Sequence, residues 1–143
     1  MKKAVTFGVF DFFHYGHLKL FEHAKTQTGA DYLIVAVQDG DYILKYKPQA
    51  DILYSTEQRI ELVRSLSIVD EVIVYTDVDE TIKKIDFDVL VRGEDQSHAG
   101  FIRASEYAES IGKDVVILKR TKGISSSQIK HGIMVNEKPD PTK

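Results

Sequence analysis

Short apolar runs, separated by longer stretches of mixed polarity, recur five times along the chain. Runs that are nearly continuous in their apolar character are typical of strands buried on both faces of a parallel sheet. They predict strands at residues 4–7, 31–38, 69–75, 87–91 and 114–118. The pattern therefore favours a protein organised around one buried sheet.

The connections between these runs carry helical spacing. In the first connection Leu20 and Ala24 are four residues apart, as on one face of a helix. A second helix is predicted at residues 55–66, where Ser55 and Gln58 fit a capping box. The remaining helices are predicted at residues 77–85 and along the face formed by Phe101, Ala104, Ala108 and Ile111, with Gly112 as the C-terminal cap. Alternating strands and helices predict right-handed βαβ units and an α/β fold.

The connection after the second predicted strand, residues 39–54, is longer than usual and lacks strong periodicity. Asp39-Gly40-Asp41 marks a turn or a helix start. Lys45 and Lys47 are two residues apart, so both ammonium groups would point the same way in an extended chain. A long connection of this kind often forms a mobile lid over a site, and a solvated basic loop is the alternative interpretation.

Composition narrows the class of protein. The chain has 143 residues, 43% of them hydrophobic, which is the size and apolar content of one domain. Its formal net charge of −3 gives no electrostatic reason to expect a nucleic-acid partner. The absence of Cys excludes a disulfide framework and a Cys-based metal site. No apolar run approaches the length of a membrane span and no signal peptide is visible, so we expect a soluble cytoplasmic protein without a membrane partner.

The strongest candidate for chemistry is the stretch 7–17, Phe-Gly-Val-Phe-Asp-Phe-Phe-His-Tyr-Gly-His, which joins the first strand to the first helix. Gly8 and Gly16 have no Cβ, so a ligand could approach the backbone closely there. The helix start presents unpaired N–H groups that suit phosphate. His14 and His17 are three residues apart and can face one bound group, where they would stabilise charge on a phosphoryl group.

Two other interpretations of this histidine pair stay open. Either ring could be purely structural, or both could be metal ligands, although no Cys and no third well-placed His supports a zinc site. His23, on the same predicted helix, is expected to lie away from the helix start and to tolerate replacement by Ala.

A glycine and two carboxylates, Gly93, Glu94 and Asp95, follow the fourth predicted strand. Ligands bind at the carboxyl ends of parallel strands, so these carboxylates could accept a hydrogen bond from the amino group of a base or hold Mg²⁺ through water. A polar turn is the alternative. Arg59 lies near a predicted helix start, where it opposes the helix dipole; a bound ligand would explain it, and a surface position is the default.

The third candidate element is residues 120–129, Arg-Thr-Lys-Gly-Ile-Ser-Ser-Ser-Gln-Ile. Ser125 and Gln128 fit a second capping box, so N–H and hydroxyl groups at that helix start could bind phosphate oxygens. Arg120 would add a planar positive charge. A capped helix start is common by itself. The polar residues 133–143 that follow predict a flexible C-terminal tail.

Two of these segments resemble a known family. Gly8-Val9-Phe10-Asp11-Phe12-Phe13-His14-Tyr15-Gly16-His17 is similar to the His-x-Gly-His signature of the nucleotidyltransferase superfamily that includes the cytidylyltransferases. Arg120-Thr121-Lys122-Gly123-Ile124-Ser125-Ser126 resembles the second cytidylyltransferase signature, and the likeness, closest to the glycerol-3-phosphate enzymes, spans residues 3 to about 132. It implies a nucleotidyltransferase domain over residues 1–132, folded as a Rossmann-like three-layer α/β/α sandwich with a five-stranded parallel sheet in the order 3-2-1-4-5.

The resemblance also implies roles for individual residues. It assigns catalysis at the α-phosphate to His14 and His17, and charge neutralisation to Lys45 and Arg120. The residues implied in nucleotide or substrate binding are Gly8, Val9, Phe10, Asp11, Gly16, Lys47, Arg59, Gly93, Glu94, Asp95, Thr121, Gly123, Ile124, Ser125, Ser126 and Ser127. The implied reaction transfers CMP from CTP, accompanied by Mg²⁺, to a small phospho-alcohol, and the implied assembly is a homodimer.

Two departures from the glycerol-3-phosphate pattern leave the phospho-alcohol open. Those enzymes carry an Arg near the position of Ser67, where this chain has Arg64 one turn earlier, and a Trp where this chain has Gln96. Glycerol-3-phosphate is the favoured acceptor, giving CDP-glycerol as a precursor of cell-surface polysaccharide or teichoic acid. Phosphocholine, phosphoethanolamine, another sugar-alcohol phosphate, an ATP-using adenylyltransferase and a non-catalytic nucleotide-binding module are the alternatives.

Overall fold

The computed structural model describes residues 1–119. The predictions for Arg120, Thr121, Gly123, Ile124, Ser125, Ser126 and Ser127, for the second capping box and for the tail at 133–143 lie outside the described residues. Within residues 1–119 the strands are β1 (Lys3–Gly8), β2 (Tyr32–Gln38), β3 (Glu71–Tyr75), β4 (Val89–Gly93) and β5 (Asp114–Leu118). The helices there are α1 (Tyr15–Thr26), α2 (Gly40–Tyr46), α3 (Thr56–Arg64), α4 (Val78–Thr81), which continues into a 3₁₀ turn at Ile82–Lys84, and α5 (Ala99–Ser110).

All five strands are parallel and lie in the order β3-β2-β1-β4-β5, which confirms the predicted fold and strand order. β1 is central, and it pairs with β2 through Gly8 opposite Val37 and with β4 through Thr6 opposite Val91. The chain winds outward from β1 to one edge and then returns to the other side of β1 through β4. The carboxyl ends of β1 and β4 therefore flank the switch point of the sheet, where open α/β folds bind their ligands.

The core is divided between the two faces of the sheet. On one face Phe21 of α1 and Val63 of α3 pack against Leu33 and Val35 of β2. The core residues of the opposite face are Val5, Phe7, Ile34, Ala36, Tyr75, Val78, Ile82, Phe87, Leu90, Phe101, Ala104 and Ala108. Burial on both faces explains why the central strands read as continuous apolar runs. Within residues 1–119 no helix is long and apolar enough to span a membrane.

The main difference from the sequence prediction lies in the connection at 39–54. Residues 40–46 form α2, whose N-cap Asp39 accepts a hydrogen bond from the Tyr42 N–H at 3.0 Å. The prediction of an irregular connection is wrong there, although Asp39-Gly40-Asp41 did indicate a helix start. The helix was missed because Ile43 is its only buried residue, so the apolar periodicity is weak.

Smaller differences concern element ends. α3 ends at Arg64 rather than at Leu66, because the N–H of Leu66 turns back to the Val63 carbonyl at 3.2 Å. β3 begins at Glu71 and β4 at Val89, each two residues later than predicted. The Ser55 and Gln58 capping box of α3 is confirmed, as is Gly112 after α5, which has a φ of +77° that favours glycine.

Candidate active site

A cavity of about 410 Å³ opens at the switch point. The β1–α1 turn, α1, the region from α2 to α3, the loop after β4 and the end of β5 contribute to its lining. The predicted site residues that the structure brings together there are Gly8, Val9, Phe10, Asp11, His14, Gly16, His17, Lys47, Gly93 and Asp95. Of the predicted site residues within 1–119, Lys45, Arg59 and Glu94 lie outside the lining.

The two histidines of the β1–α1 turn form a capping box. His14 is the N-cap of α1, and its Nδ1 accepts a hydrogen bond from the Gly16 N–H at 3.0 Å. His17 reaches back, and its Nδ1 accepts a hydrogen bond from the His14 N–H at 3.2 Å. The rings stack with their centroids 3.9 Å apart. The sequence indicated that both rings lie at the helix start, but not this reciprocal bonding, because the usual cap residues are Ser, Thr, Asp and Asn.

These bonds fix the proton of each ring. A ring nitrogen that accepts a hydrogen bond carries no proton, so the proton of His14 and of His17 lies on Nε2. Burial, together with the adjacent His14, lowers the pKa of His17 to about 3. His17 is therefore a neutral hydrogen-bond donor at neutral pH, and it does not need to be charged to act on an anion.

The backbone N–H groups at the start of α1 are already engaged. The Gly16 N–H bonds the His14 ring, and the N–H groups of His17 and Leu18 bond the His14 carbonyl at 3.0 and 3.3 Å. The prediction that unpaired N–H groups here would bind phosphate is wrong for these three. The imidazoles, rather than these amides, are the groups that the turn can direct at a ligand.

The backbone of the β1–α1 turn is strained. Phe10 and Phe12 both have a φ of 52°, in the left-handed region, where a bulky residue costs about 1–3 kcal/mol. In return the buried Phe10 ring packs edge-on against His17, with centroids 5.4 Å apart. A Cβ on Gly8 would lie 2.7 Å from Cζ of Phe10. Gly8 therefore makes room for the ring that supports His17, a role that the sequence did not indicate.

Asp11 joins this turn to the opposite wall of the cavity. Its buried carboxylate accepts hydrogen bonds from the N–H groups of Leu53 at 2.7 Å and Tyr54 at 3.0 Å. Both donors lie in the connection between α2 and α3, which also contributes Ala50 and Asp51 to the lining. Because a charged acceptor strengthens such bonds, Asp11 fixes the base of this connection against the turn.

Arg59, which lies on α3, also joins segments that are distant in the sequence. Its side chain is fully buried, so the default expectation of a surface position is wrong. Its guanidinium donates hydrogen bonds to four protein oxygens, the carbonyls of Val9, Gln38 and Tyr54 and the hydroxyl of Thr56. Burial lowers the pKa of Arg59, and the nearby carboxylates of Asp11 and Asp39 oppose that effect. Arg59 therefore holds together the β1–α1 turn, the end of β2 and the connection before α3.

The two lysines of the connection do not lie on an extended chain, so the condition under which their ammonium groups would point the same way is not met. Lys45 is in the last turn of α2 and Lys47 is its C-cap. Lys47 lines the cavity, whereas the exposed Lys45 places its Nζ 5.5 Å from the centroid of the Tyr46 ring. Of the two, Lys47 is the cation that the structure places at the site.

The loop after β4 is organised by Gln96, a residue that the sequence marked only as a departure from a family pattern. Its Nε2 donates to the Phe7 carbonyl of β1 at 2.7 Å, and its Oε1 accepts from the Gly93 N–H of β4 at 3.0 Å. Gln96 thus bridges the two strands that flank the switch point. Asp95 lines the cavity, and its Oδ1 lies 2.8 Å from where a Cβ on Gly93 would sit, so a side chain there would displace the Asp95 carboxylate.

His23 lines the cavity together with Leu20, Leu118 and Lys119. As expected, His23 is in the last turn of α1, away from the helix start where His17 lies. Because His23 nevertheless lines the cavity, it is not a control remote from the site. Leu20 lies between the two histidines and extends the cavity from one ring to the other.

The described lining suits stabilisation of an anion more than nucleophilic catalysis. It contains the imidazoles of His14 and His17, each with a proton on Nε2, a third imidazole at His23, two lysines at positions 47 and 119, and no Ser, Thr or Cys. Within residues 1–119 no group of three or more His, Cys, Asp or Glu side chains could hold a metal ion. Preorganised N–H donors of this kind stabilise charge that develops on a phosphoryl group during transfer.

Comparison with known proteins agrees with this chemistry. A family model described as cytidylyltransferase-like matches residues 5–132. A glycerol-3-phosphate cytidylyltransferase of Bacillus spizizenii is 38% identical over 133 residues, which cover 91% of this chain and 95% of that protein. A FAD synthase of Ferroglobus placidus is 40% identical over 98 residues, which cover 67% of this chain and 61% of that protein. The crystal structure of the lipopolysaccharide core biosynthesis protein from Thermoplasma volcanium shares the fold, with a TM-score of 0.68, 23% identity, and coverage of 87% of this chain and 99% of that one.

Proposed function

Because the chain belongs to the cytidylyltransferase-like family, we propose that it transfers CMP from CTP to glycerol-3-phosphate, forming CDP-glycerol and pyrophosphate. The observation that carries this proposal is the capping box of His14 and His17, whose rings line the cavity at the switch point. Two imidazole N–H donors held at one place suit the transition state of phosphoryl transfer. Similarity to a glycerol-3-phosphate cytidylyltransferase over 91% of the chain supports the choice of acceptor.

In this reaction a phosphate oxygen of glycerol-3-phosphate attacks the α-phosphorus of CTP in line with the leaving group. A new P–O bond forms while the bond from the α-phosphorus to the oxygen that bridges to the β-phosphate breaks. That oxygen leaves with the electron pair as part of pyrophosphate. The attacking phosphate is already anionic near neutral pH, so no general base is required. The described lining, without Ser, Thr or Cys, fits such a reaction.

The residues would act by positioning and by electrostatic stabilisation. His17, neutral because of its lowered pKa, donates its Nε2–H to an α-phosphate oxygen and keeps its proton throughout. His14, stacked on it, donates to the same group. Lys47 supplies positive charge to the phosphates from the end of α2, and Lys45 and Arg120 are proposed to add to that charge.

Mg²⁺ is proposed to enter with the triphosphate. Mg²⁺ commonly keeps several waters and binds through one or two carboxylates plus substrate phosphates, and the Asp95 carboxylate in the lining fits that pattern. The carboxylate of Asp11 fits it less well, because it already bonds the N–H groups of Leu53 and Tyr54. When bound, the ion supplies charge neutralisation to the pyrophosphate that leaves.

The direct test is release of pyrophosphate from CTP in the presence of one phospho-alcohol at a time. The panel contains glycerol-3-phosphate, phosphocholine, phosphoethanolamine and a sugar-alcohol phosphate. We expect release to require an acceptor, to be fastest with glycerol-3-phosphate, and to yield an equal amount of CDP-glycerol. Faster release with another acceptor would correct the substrate. CTP binding without release in any mixture would instead identify a nucleotide-binding module without catalysis.

Adenylyl transfer is the second candidate, favoured by the similarity to a FAD synthase. The histidine pair would serve the α-phosphate of ATP in the same way, so the site chemistry by itself does not choose the base. Measuring turnover with CTP and ATP at equal concentrations separates the two candidates. We expect CTP to be preferred, and comparable turnover with ATP would overturn that preference.

The proposed enzyme is a homodimer, as the family resemblance implies, and we propose that it acts in the cytoplasm. Its product would then supply a transferase that delivers glycerol phosphate to a cell-surface polysaccharide or teichoic acid. Light scattering at micromolar protein concentration should give the mass of two chains, and a monomer mass would contradict this assembly.

A further inference from the structure

The cavity extends from the histidine pair along α1. His17, Leu20 and His23 follow one another at intervals of three residues, so they form one ridge along the helix. Leu118, at the end of β5, belongs to the same hydrophobic core cluster that Leu20 packs against, and both line the cavity. This arm of the cavity, defined by Leu20, His23 and Leu118, is apolar apart from the imidazole and the exposed Lys119 at its rim.

His23 is the unexplained polar group of this arm. Its ring is half-buried, and within the described part of the chain it makes no hydrogen bond or ion pair. Its neighbour Glu22 shows the contrast, because Glu22 pairs with Lys19 at 3.0 Å and lies outside the lining. Among residues 1–119, no contact of the ring requires an imidazole at position 23. The ring does line the cavity, where it can serve a bound ligand.

The spacing identifies which part of a nucleotide could reach it. A rise of about 1.5 Å per residue places His23 roughly 9 Å along α1 from His17. That separation is comparable to the reach from the 5′-phosphate of a nucleotide to its base. The nucleoside is uncharged, with apolar faces and polar edges, so an arm with two Leu walls and one imidazole suits it. The acceptor phosphate carries two negative charges, so it would bind more favourably near the ammonium group of Lys47.

We propose that His23 binds the nucleoside part of the nucleotide whose α-phosphate lies at His14 and His17. A ring nitrogen of His23 forms a hydrogen bond with a ribose hydroxyl or with the polar edge of the base. The assignment rests on the proposed nucleotidyltransferase function. It makes His23 a residue for affinity and nucleotide choice, separate from the pair that stabilises the transition state.

The test compares a ligand that has a nucleoside with one that does not. Calorimetry measures the Kd of CTP and of inorganic tripolyphosphate, each with Mg²⁺, for the wild type, His23→Ala and the matched control Glu22→Ala. Losing one hydrogen bond should weaken CTP binding by about three- to tenfold in His23→Ala. Tripolyphosphate binding should stay within about twofold. Glu22→Ala, one position away on the same helix, should change neither Kd.

Each other outcome is decisive. An unchanged Kd for CTP in His23→Ala, or an equal loss for CTP and tripolyphosphate, would overturn the role of His23, because the first shows no contact and the second shows a general disturbance of the site. If the wild type does not bind CTP, the proposed function itself fails. Binding of CTP by the wild type together with an unaffected His23→Ala variant would refute only the present inference.

Discussion

Two helices of this molecule, α1 after β1 and α5 after β4, begin with the same local pattern at the same edge of the sheet. α1 starts with His14-Tyr15-Gly16-His17 and α5 with His98-Ala99-Gly100-Phe101. In each, Nδ1 of the N-cap His accepts a hydrogen bond from the glycine N–H, at 3.0 Å in α1 and 3.2 Å in α5. They differ at the third helical position, which is His in α1 and Phe in α5.

The residue at this third position distinguishes the candidate active site at the start of α1 from the simple helix cap at the start of α5. His17 stacks on His14 and completes the capping box. Phe101 instead packs edge-on against the His98 ring, with the ring centroids 4.6 Å apart, and is part of the hydrophobic core. His17 lines the cavity, while His98 is exposed and lies outside the lining. The His-x-Gly pattern alone is therefore a way to start a helix. The second, cavity-facing imidazole makes it a candidate for chemistry.

The largest effect should come from removing that second imidazole. We expect His17→Ala to keep the fold but to lower the kcat of pyrophosphate release by about 10²–10³-fold, as loss of one preorganised donor does. Steady-state kinetics with CTP and glycerol-3-phosphate measures it. His98→Ala is the matched control and should retain near-normal turnover. A His17→Ala enzyme with near-normal kcat would show that the ring of His17 is only structural.

The second effect concerns stability and pH. Burial and His14 lower the pKa of His17 to about 3 from 6.5, so below pH 6.5 the unfolded chain takes up a proton that the folded chain does not. Stability from this residue is fully present above pH 6.5 and is lost as the pH falls toward 3. We expect the wild type to lose about 2 kcal/mol more unfolding free energy between pH 7 and pH 5 than His17→Gln, which keeps the capping box without a titrating ring. Urea denaturation at both pH values measures this difference, and equal losses would contradict it.

A smaller effect tests what the two helix starts share. His14→Ala and His98→Ala each remove an N-cap acceptor, so each should lower the unfolding free energy by about 1 kcal/mol. Only His14→Ala should also lower kcat. Urea denaturation measures the unfolding free energy, and steady-state kinetics measures kcat, on the same preparations of the two variants. Similar activity losses in both variants would mean that the two helix starts do not differ in function.

The smallest effect concerns Lys47, which lines the cavity and also acts on His98. Burial, followed by the charges of Lys47 and Arg103, lowers the pKa of His98. Lys47→Ala should therefore raise the pKa of His98 in an NMR titration and raise the KM for a phosphorylated substrate several-fold. Lys45→Ala is the comparison, with a weaker effect on KM because Lys45 lies outside the lining. If both lysine variants are silent, the connection is a solvated basic surface.

The sequence was sufficient for the architecture because the sheet is parallel and buried on both faces. Each of the five apolar runs, such as residues 31–38, can be recognised from its own residues alone. The segments between them show the spacing of apolar residues that is typical of helices. The helix α2 was not predicted, because a seven-residue helix with one buried side chain shows almost no periodicity of apolar residues. Secondary structure can be predicted reliably from sequence where buried positions recur at a regular spacing, and only weakly where they do not.

The candidate site was only partly visible, for a related reason. His14 and His17 could be recognised because their chemistry is local, at one helix start. The roles of Arg59 and Gln96 depend on backbone oxygens far away in the chain, such as the Phe7 carbonyl that is 89 residues from Gln96. No local pattern encodes a bond to a distant carbonyl, so the residues that hold the cavity together appeared only in the folded structure.

The function proposed for this site depends on the capping box, which places the proton of both histidines on Nε2, where it would meet the nucleotide. Nitrogen-15 NMR of the imidazole rings at pH 7, with and without CTP, tests this directly. We predict an unprotonated Nδ1 and a protonated Nε2 in His14 and His17, with Nε2 signals that move when CTP is added while those of His98 stay in place. A proton on Nδ1 of either ring, or an equal response from His98, would contradict it.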